Sequence, residues 1–328
     1  MQHCFRAIEL YNSIMKKGMF LICIAFCLML VSAKAEDSTK VDSIKVWKKG
    51  GIAGLNFAQT SLTNWQGGGE NAIAGNALLS LFSNYKKGLS TWENTLDLAY
   101  GKIQTGKAAL RKNDDKIDLN SKYGYSFSKN WNYSALFNFK SQFDDGYAYP
   151  NDSVVISHFL APAYTLLAIG LDYKTTNNNF SLFISPLTGK TTIVNDQRLA
   201  DAGAYGVEKA TYDPTSLALI KGGNKIRNEF GGYLRMTYKK EVMKNVTFQT
   251  KLELFSNYIN NPQNMDVNWE NIVSLKVNKF ITASITTNLI YDDDVNIKVD
   301  HGDDGVIDAV GPRVQYKQVL AVGFSYKF

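Results

Sequence analysis

Cysteine is scarce in this chain. There are three in 328 residues, Cys4, Cys23 and Cys27, and none beyond position 27. Disulfides, thiolate metal sites and a cysteine nucleophile are therefore excluded from the bulk of the protein. Proline is scarce too, at six. Long apolar runs are almost missing. The one run is residues 19–31, MFLICIAFCLMLV, and a membrane helix needs about 20 apolar residues. A large charge of one sign is also lacking, with 36 basic residues against 30 acidic. What the chain has instead is aromatic: 18 tyrosines and 18 phenylalanines.

The apolar run has a context. Lys16 and Lys17 precede it and Ser32-Ala33-Lys34-Ala35 follows, the charged, apolar, small-residue order of a secretory signal peptide. Cleavage is expected after Ala35, making residues 1–35 the signal peptide. Met15 opens a conventional n-region and is the expected true start. Neither Cys23 nor Cys27 is placed for lipid attachment. The mature chain then holds 32 basic and 29 acidic residues, a balance that gives nucleic acid no footing. Residues 36–49 are polar and read as a flexible periplasmic tail, with a barrel over 50–328.

The barrel expectation rests on period-two alternation. In residues 91–101, Trp92, Leu96, Leu98 and Tyr100 share one parity, and Glu93, Thr95 and Asp97 the other. Successive strand side chains point to opposite faces, so one face is apolar and the other charged. The same split recurs. Trp131, Tyr133, Phe137 and Phe139 oppose Asn132, Ser134, Asn138 and Lys140, while Leu252 and Leu254 oppose Lys251 and Glu253. Twelve strands are predicted, near 51–62, 71–85, 91–101, 115–125, 131–143, 160–173, 180–194, 226–238, 246–258, 265–277, 281–291 and 313–328. Pro162 and Pro186 weaken the sixth and seventh, because proline donates nothing to a ladder.

Connections alternate between short turns and longer segments, the pattern of short periplasmic turns and longer outer loops. Trp92, Tyr100, Trp131, Phe143, Tyr258 and Trp269 fall where interfacial aromatic girdles are expected. The chain ends on Leu320, Val322, Phe324, Tyr326 and Phe328 at every second position. The last three look like the signal by which barrel-assembly machinery recognises its clients. The fold class is thus all-β: a transmembrane, antiparallel, up-and-down β-barrel of about twelve strands. It is expected in a Gram-negative outer membrane, in contact with its lipid and lipopolysaccharide.

Five segments carry a family resemblance: WKKGGIAGLNFAQTSLTNWQGGGENAIAGNALL (47–79), TWENTLDLAYG (91–101), KIDLNSKYGY (116–125), SPLTGKTTIVND (185–196) and LFSNYINNPQNMDVNWE (254–270). They resemble a set of Bacteroidota outer-membrane proteins catalogued as a domain of unknown function, over 47–328. The resemblance implies a Bacteroidota source and a barrel. It implies no catalytic residue and no substrate.

The charged parity supplies the candidate site. Glu93, Asp97, Lys116, Asp118, Lys140, Arg227, Glu229, Arg235, Lys251, Glu253, Glu270, Lys276 and Lys317 are expected to line the lumen, with Lys122, Asp172, Asp266 and Arg313 beside them. A strongly selective pore biases one sign along its constriction, and this set is balanced. The favoured reading is a narrow channel for small polar solutes. The first alternative is a closed barrel that docks a surface protein or secretion machinery through its outer loops. The second is a lipid-modifying enzyme at the outer rim. That one is disfavoured, because His158 follows Ser157 directly and neighbours on an extended segment point apart, so the chain is read as a non-enzyme without catalytic residues. No cofactor is expected, with one exception. The loop VDHGDDGVID resembles a calcium loop, with Asp300, Asp304 and Asp308 as candidate ligands and Gly302 where the pattern has an aspartate. Loop 195–225 is expected either to fold inward as a constriction or to stay outside as a partner surface. Asp37-Ser38-Thr39, Asp42-Ser43-Ile44 and Asp152-Ser153-Val154 look like O-glycosylation acceptors.

Overall fold

The structure is a computed structural model and describes residues 46–61, 70–149, 151–299 and 308–328. The expected signal peptide, the expected acceptors at Ser38 and Ser43, most of the expected tail, and Asp300 and Asp304 of the calcium-like loop lie outside the described residues. Twelve antiparallel strands form a closed barrel. They are β1 (Trp47–Thr60), β2 (Ala72–Lys87), β3 (Ser90–Thr105), β4 (Arg111–Ser126), β5 (Trp131–Ser141), β6 (Ala163–Lys174), β7 (Phe180–Ile193), β8 (Ile226–Met243), β9 (Val246–Asn257), β10 (Asp266–Lys276), β11 (Ile281–Tyr291) and β12 (Gln315–Lys327). Each pairs with its chain neighbours, and β12 returns to β1 to close the ring.

Alternation decides which side chains enter. On β5, Asn132, Ser134 and Asn138 are buried, while Tyr133 is 59% and Phe137 39% exposed. The polar residues are inside and the aromatic ones outside, the reverse of a soluble core. The outer surface carries Leu55, Phe57, Leu167, Ile169, Leu187, Leu320 and Phe324, all more than half exposed. An apolar surface of that extent is matched by hydrocarbon and not by water. No helix among the described residues is long and apolar enough to cross a membrane.

At the end where the chain enters β1, Trp47 packs on Tyr85 at 5.2 Å and on Trp92 at 6.1 Å. Further round the ring Trp131, Tyr173 and Phe180 make edge contacts at 5.1 and 6.4 Å. These rings flank the short turns. The β2–β3 turn is two residues with Gly88 at φ 56°, and the β8–β9 turn has Asn245 at φ 66°, the left-handed values tight hairpins require.

Several boundaries differ from the sequence expectation. β1 opens at Trp47, so the last residues of the expected tail join the ladder. β5 ends at Ser141 and β9 at Asn257, which leaves Phe143 and Tyr258 in the outer connections. Pro186 sits at a bulge: Ile169 pairs with Leu187 and Leu171 with Ile184, so Ser185 and Pro186 together oppose Gly170. The extra residue flips the parity of β7, and the missing N–H of proline is absorbed where the ladder is already broken. Gly170 is required there, since a Cβ would lie 2.0 Å from the Ile184 carbonyl oxygen. Loop 195–225 is not structureless. It holds a short helix, α1 (Gln197–Asp201), and a small hairpin pairing Thr211 with Lys221.

Candidate functional site: the barrel interior

Cross-strand register brings the inward charges together in layers. In the middle layer Asp118 of β4 accepts from Asn138 at 2.8 Å and Asn120 at 2.9 Å, with Lys116 at 3.7 Å and Lys251 at 4.0 Å. Glu253 of β9 accepts from Lys140 at 2.9 Å, from the Tyr233 hydroxyl at 2.7 Å and from Asn268 at 3.0 Å, with Arg235 at 3.6 Å. Arg235 in turn donates to Asn120 at 2.9 Å, and Lys116 reaches Glu270 at 3.8 Å. β4 and β10 are six strands apart in a ring of twelve, so the last contact spans opposite walls.

Toward the short turns, Lys122 donates twice to Asp172 at 2.9 Å, Glu93 lies between Lys122 and Lys174, and Ser181 donates to Asp172. Toward the long loops, Lys190 contacts Asp266 at 2.6 Å and Glu229 at 3.5 Å, while Arg227 contacts Glu229 at 2.7 Å and Asp294 at 3.2 Å. A buried charge is tolerated only when paired and hydrogen-bonded, and each of these layers meets that condition.

The interior also has an apolar part that parity counting did not reveal. Leu136, Ala168, Phe183, Tyr233 and Phe255, all inward on β5 to β9, form one packed cluster with Leu166 against it. Leu136 and Phe183 are each 1% exposed. The opposite wall differs. Ile52 of β1, paired with Ser80, and Leu78 of β2, paired with Gly54, also point inward, on the parity opposite to outward Leu55 and Leu79, yet they are 46% and 41% exposed. The barrel is thus filled on its β4–β10 side and open along β1 and β2. Around the open side Asn76, Asn84 and Asn288 each turn in a buried amide oxygen that finds no protein partner.

The outer mouth on the filled side is covered. Asp196 caps α1 by accepting from the Leu199 N–H at 3.0 Å, and Val194, Leu199, Ala200 and Val207 pack with Ala161. The chain then crosses inward to Gly206, whose carbonyl accepts from inward-facing Arg227 at 3.1 Å. Burial alone would push the Asp196 carboxyl up. The Leu199 N–H and His158 outweigh it and hold the carboxyl below its ordinary value.

The remaining sequence candidates fall as follows. Asp97 accepts from Ser80 at 2.5 Å, and Lys317 pairs with Asp114 at 2.8 Å. Lys276 is exposed at the turn end of β10, and Arg313 is exposed just before β12. Trp92 and Trp269 are exposed and donate to Ser121 and Thr250. Tyr100 donates to Asp144 at 2.6 Å, and Tyr258 stacks edgewise on Phe230 at 6.0 Å. Phe324, Tyr326 and Phe328 all project outward, at 67%, 60% and 50% exposure. Asp308 is exposed just before a short hairpin strand, and no metal-holding cluster of acids and histidines occurs among the described residues. Ser153 is exposed and donates to Asn151. His158 does not face Ser157. Its Nδ1 lies 2.9 Å from the Phe159 carbonyl and its Nε2 3.3 Å from Asp196, so both ring nitrogens meet acceptor oxygens. Ser157 instead donates to Gln142 at 3.3 Å.

Solved structures similar to this chain are outer-membrane barrels. An outer membrane channel from Pseudomonas putida F1 has 12% identity and TM-score 0.39, over 89% of this chain and 100% of that one. The translocator domain of the autotransporter NalP from Neisseria meningitidis has 10% identity and TM-score 0.35, over 95% and 97%. Outer membrane phospholipase A from Escherichia coli has 10% identity and TM-score 0.33, over 88% and 94%. Likenesses this distant carry no argument about activity. No curated protein matches the chain. Two of the five resembling segments, 91–101 and 116–125, fall wholly within the stretch that a family profile matches: residues 57–147, from the outer half of β1 to the connection beyond β5, match the family described as Protein of unknown function (DUF3078).

Proposed function

We propose that the protein is a narrow outer-membrane channel for small polar solutes, with its path displaced to the β1–β2 side of the barrel. The observation that carries this reading is the uneven filling of the interior. Inward Leu136 and Phe183 are 1% exposed, while inward Ile52 and Leu78 are more than 40% exposed. A barrel serving only as a solid scaffold has no use for a half-filled lumen. The path is walled on one side by charges of both signs that are already paired, such as Lys116 with Glu270. Such a wall offers polarity without a net field and suits neutral or zwitterionic solutes better than ions of one charge. The inward fold of loop 195–225 narrows the outer mouth over the filled side.

The test is planar-bilayer conductance of the refolded chain. Steady openings are expected, and Ser80→Trp, which fills the open side next to Ile52, is expected to reduce them severalfold. A silent bilayer from folded protein removes the channel reading in favour of the docking scaffold. Activity against phospholipid that is lost in His158→Ala would favour the rim enzyme.

A further inference from the structure

The ring is closed unevenly. Across the β1–β12 seam, pairing runs only from Ile52 with Lys327 to Asn56 with Gly323, extended at the turn end by mutual backbone bonds between Gly51 and Phe328 at 3.0 and 3.1 Å. Beyond Asn56 the seam stops. Residues 57–60 of β1 and 315–322 of β12 have no ladder partner across it among the described residues. Neither strand is frayed. β1 pairs with β2 as far as Thr60 with Ala72, and β12 pairs with β11 as far as Gln315 with Ile290. Both edges are held firmly by their other neighbours while they part from each other.

The gap lies in the outer half of the apolar band. Leu320 and Val322 border it, 71% and 56% exposed, between the interfacial rings Tyr316 and Tyr326. Unpaired backbone in hydrocarbon is costly unless it opens on a polar cavity, and this edge opens on the unfilled side of the lumen. Behind it the inward residues mix small and apolar side chains, Ala58, Ala74, Val319 and Ala321, with polar Asn56 and Asn76 and with Lys317, which pairs with Asp114; Leu78 is exposed one strand in from the seam. Apolar side chains are thus exposed on both sides of the edge, Leu320 and Val322 toward lipid and Ile52 and Leu78 toward the lumen.

We infer that the β1–β12 seam is a lateral portal through which an acyl chain of an outer-leaflet amphiphile reaches the lumen. The chain would lie along Ile52 and Leu78, with its polar head near the open backbone edge. The class follows from the surface: Leu320, Val322, Ile52 and Leu78 give an acyl chain apolar contact on both sides of the edge, while Asn56, Asn76 and Lys317 among them suit a polar head. The inference goes beyond the channel reading, and its readout does not depend on conductance.

The experiment is photo-crosslinking in phosphatidylcholine vesicles, with p-benzoylphenylalanine installed at Leu78 in the full barrel and at Leu320 as an outward control. Phospholipid adducts, read by mass, are expected at both positions. In a second protein Phe57→Cys and Val322→Cys clamp the seam. The chain has no other cysteine beyond position 27, so the disulfide forms without competitors. Clamping is expected to lower the Leu78 adduct at least fivefold while leaving the Leu320 adduct intact, and reduction is expected to restore it. Ala58→Trp, which blocks the gap by bulk, is expected to act likewise if the clamp impairs folding. Adducts at Leu320 with none at Leu78 overturn the portal, as does a Leu78 adduct indifferent to both closures.

Discussion

Lys116 and Glu270 stand on opposite walls of the barrel, six strands apart in a ring of twelve, and their side chains approach to 3.8 Å. A twelve-stranded barrel is wide enough to leave an opening unless long side chains reach across it. This contact divides the interior into a packed half and an open half. The side chain of Lys116 remains 39% exposed on the open half. Lys116→Glu would place two acids at the dividing line. Under a salt gradient its reversal potential is expected to move toward cation selectivity, and Glu270→Lys is expected to move it the other way. Identical potentials in both variants would show that the permeation path avoids this wall.

Glu253 is 7% exposed and accepts from three different strands, through Lys140, Tyr233 and Asn268. Glu253→Gln would leave Lys140 and Arg235 facing each other without their common counter-charge. Breaking a buried pair from one side costs roughly 3–5 kcal/mol. The urea midpoint of the refolded barrel is expected to fall accordingly, and Lys140→Met in the same chain is expected to recover much of the loss. A single variant as stable as the parent would mean that this layer is hydrated rather than tightly paired.

The two walls make opposite demands on an added charge. Phe137 faces lipid near the middle of β5, and Phe137→Arg is expected to cost about 2–4 kcal/mol, as a cation does at the bilayer midplane. Ile52 carries as much apolar surface but faces the open lumen, so Ile52→Arg is expected to be nearly neutral in the same unfolding assay. Equal penalties would place Ile52 in an apolar packing environment and contradict the open side.

Much of this architecture was legible in the sequence, and the failures have physical causes. Alternation located all twelve strands because a lipid-facing residue and a lumen-facing residue differ in chemistry at every step. It blurred on β6 and β7, where Pro186 adds a residue and reverses the parity within one strand. It missed the apolar cluster, because Leu136 and Phe183 at inward positions look like noise in a polar face. The signal was their recurrence on neighbouring strands, which only the register aligns. The short β1–β12 seam had no signature at all, since strand length says nothing about how far two edges stay together. Phe143 and Tyr258 were assigned to strand ends because aromatic residues continue the alternation a step beyond the last ladder pair.

Gly170 tests the bulge directly. A Cβ at this position would lie 2.0 Å from the Ile184 carbonyl oxygen and 2.7 Å from the Ser185 Cα, so the β7 backbone gives it no room. Gly170→Ala is expected to force the β6–β7 ladder apart and to lower barrel stability by about 1–3 kcal/mol, the range for overpacking. Removing the extra residue by deleting Pro186 would restore continuous pairing and leave every side chain of β7 on its present face, Leu182, Ile184 and Leu187 outward and Phe183, Ser185 and Thr188 inward. That deletion is expected to preserve refolding, read as retention of the heat-modifiable band on a gel.

The cap of α1 connects the outer loop to pH. Asp196 accepts from the Leu199 N–H and approaches His158 at 3.3 Å, and its carboxyl is held below the ordinary value. A depressed carboxyl contributes stability that is complete above its unfolded value, about 3.9, and is lost as pH falls through the lower folded value. Loop 195–225 is therefore expected to stay docked at every pH above that range and to loosen only in stronger acid. Asp196→Ala removes the cap at neutral pH, at a cost of about 1 kcal/mol to the helix end. Limited proteolysis within 195–225 reads both effects. Cleavage is expected to quicken severalfold in Asp196→Ala at pH 7, where the parent is protected. His158→Ala, which keeps the cap but loses the second contact, is expected to show a smaller increase. Equal protection in all three chains would mean that the loop is held by the packing of Leu199, Ala200 and Val207 alone.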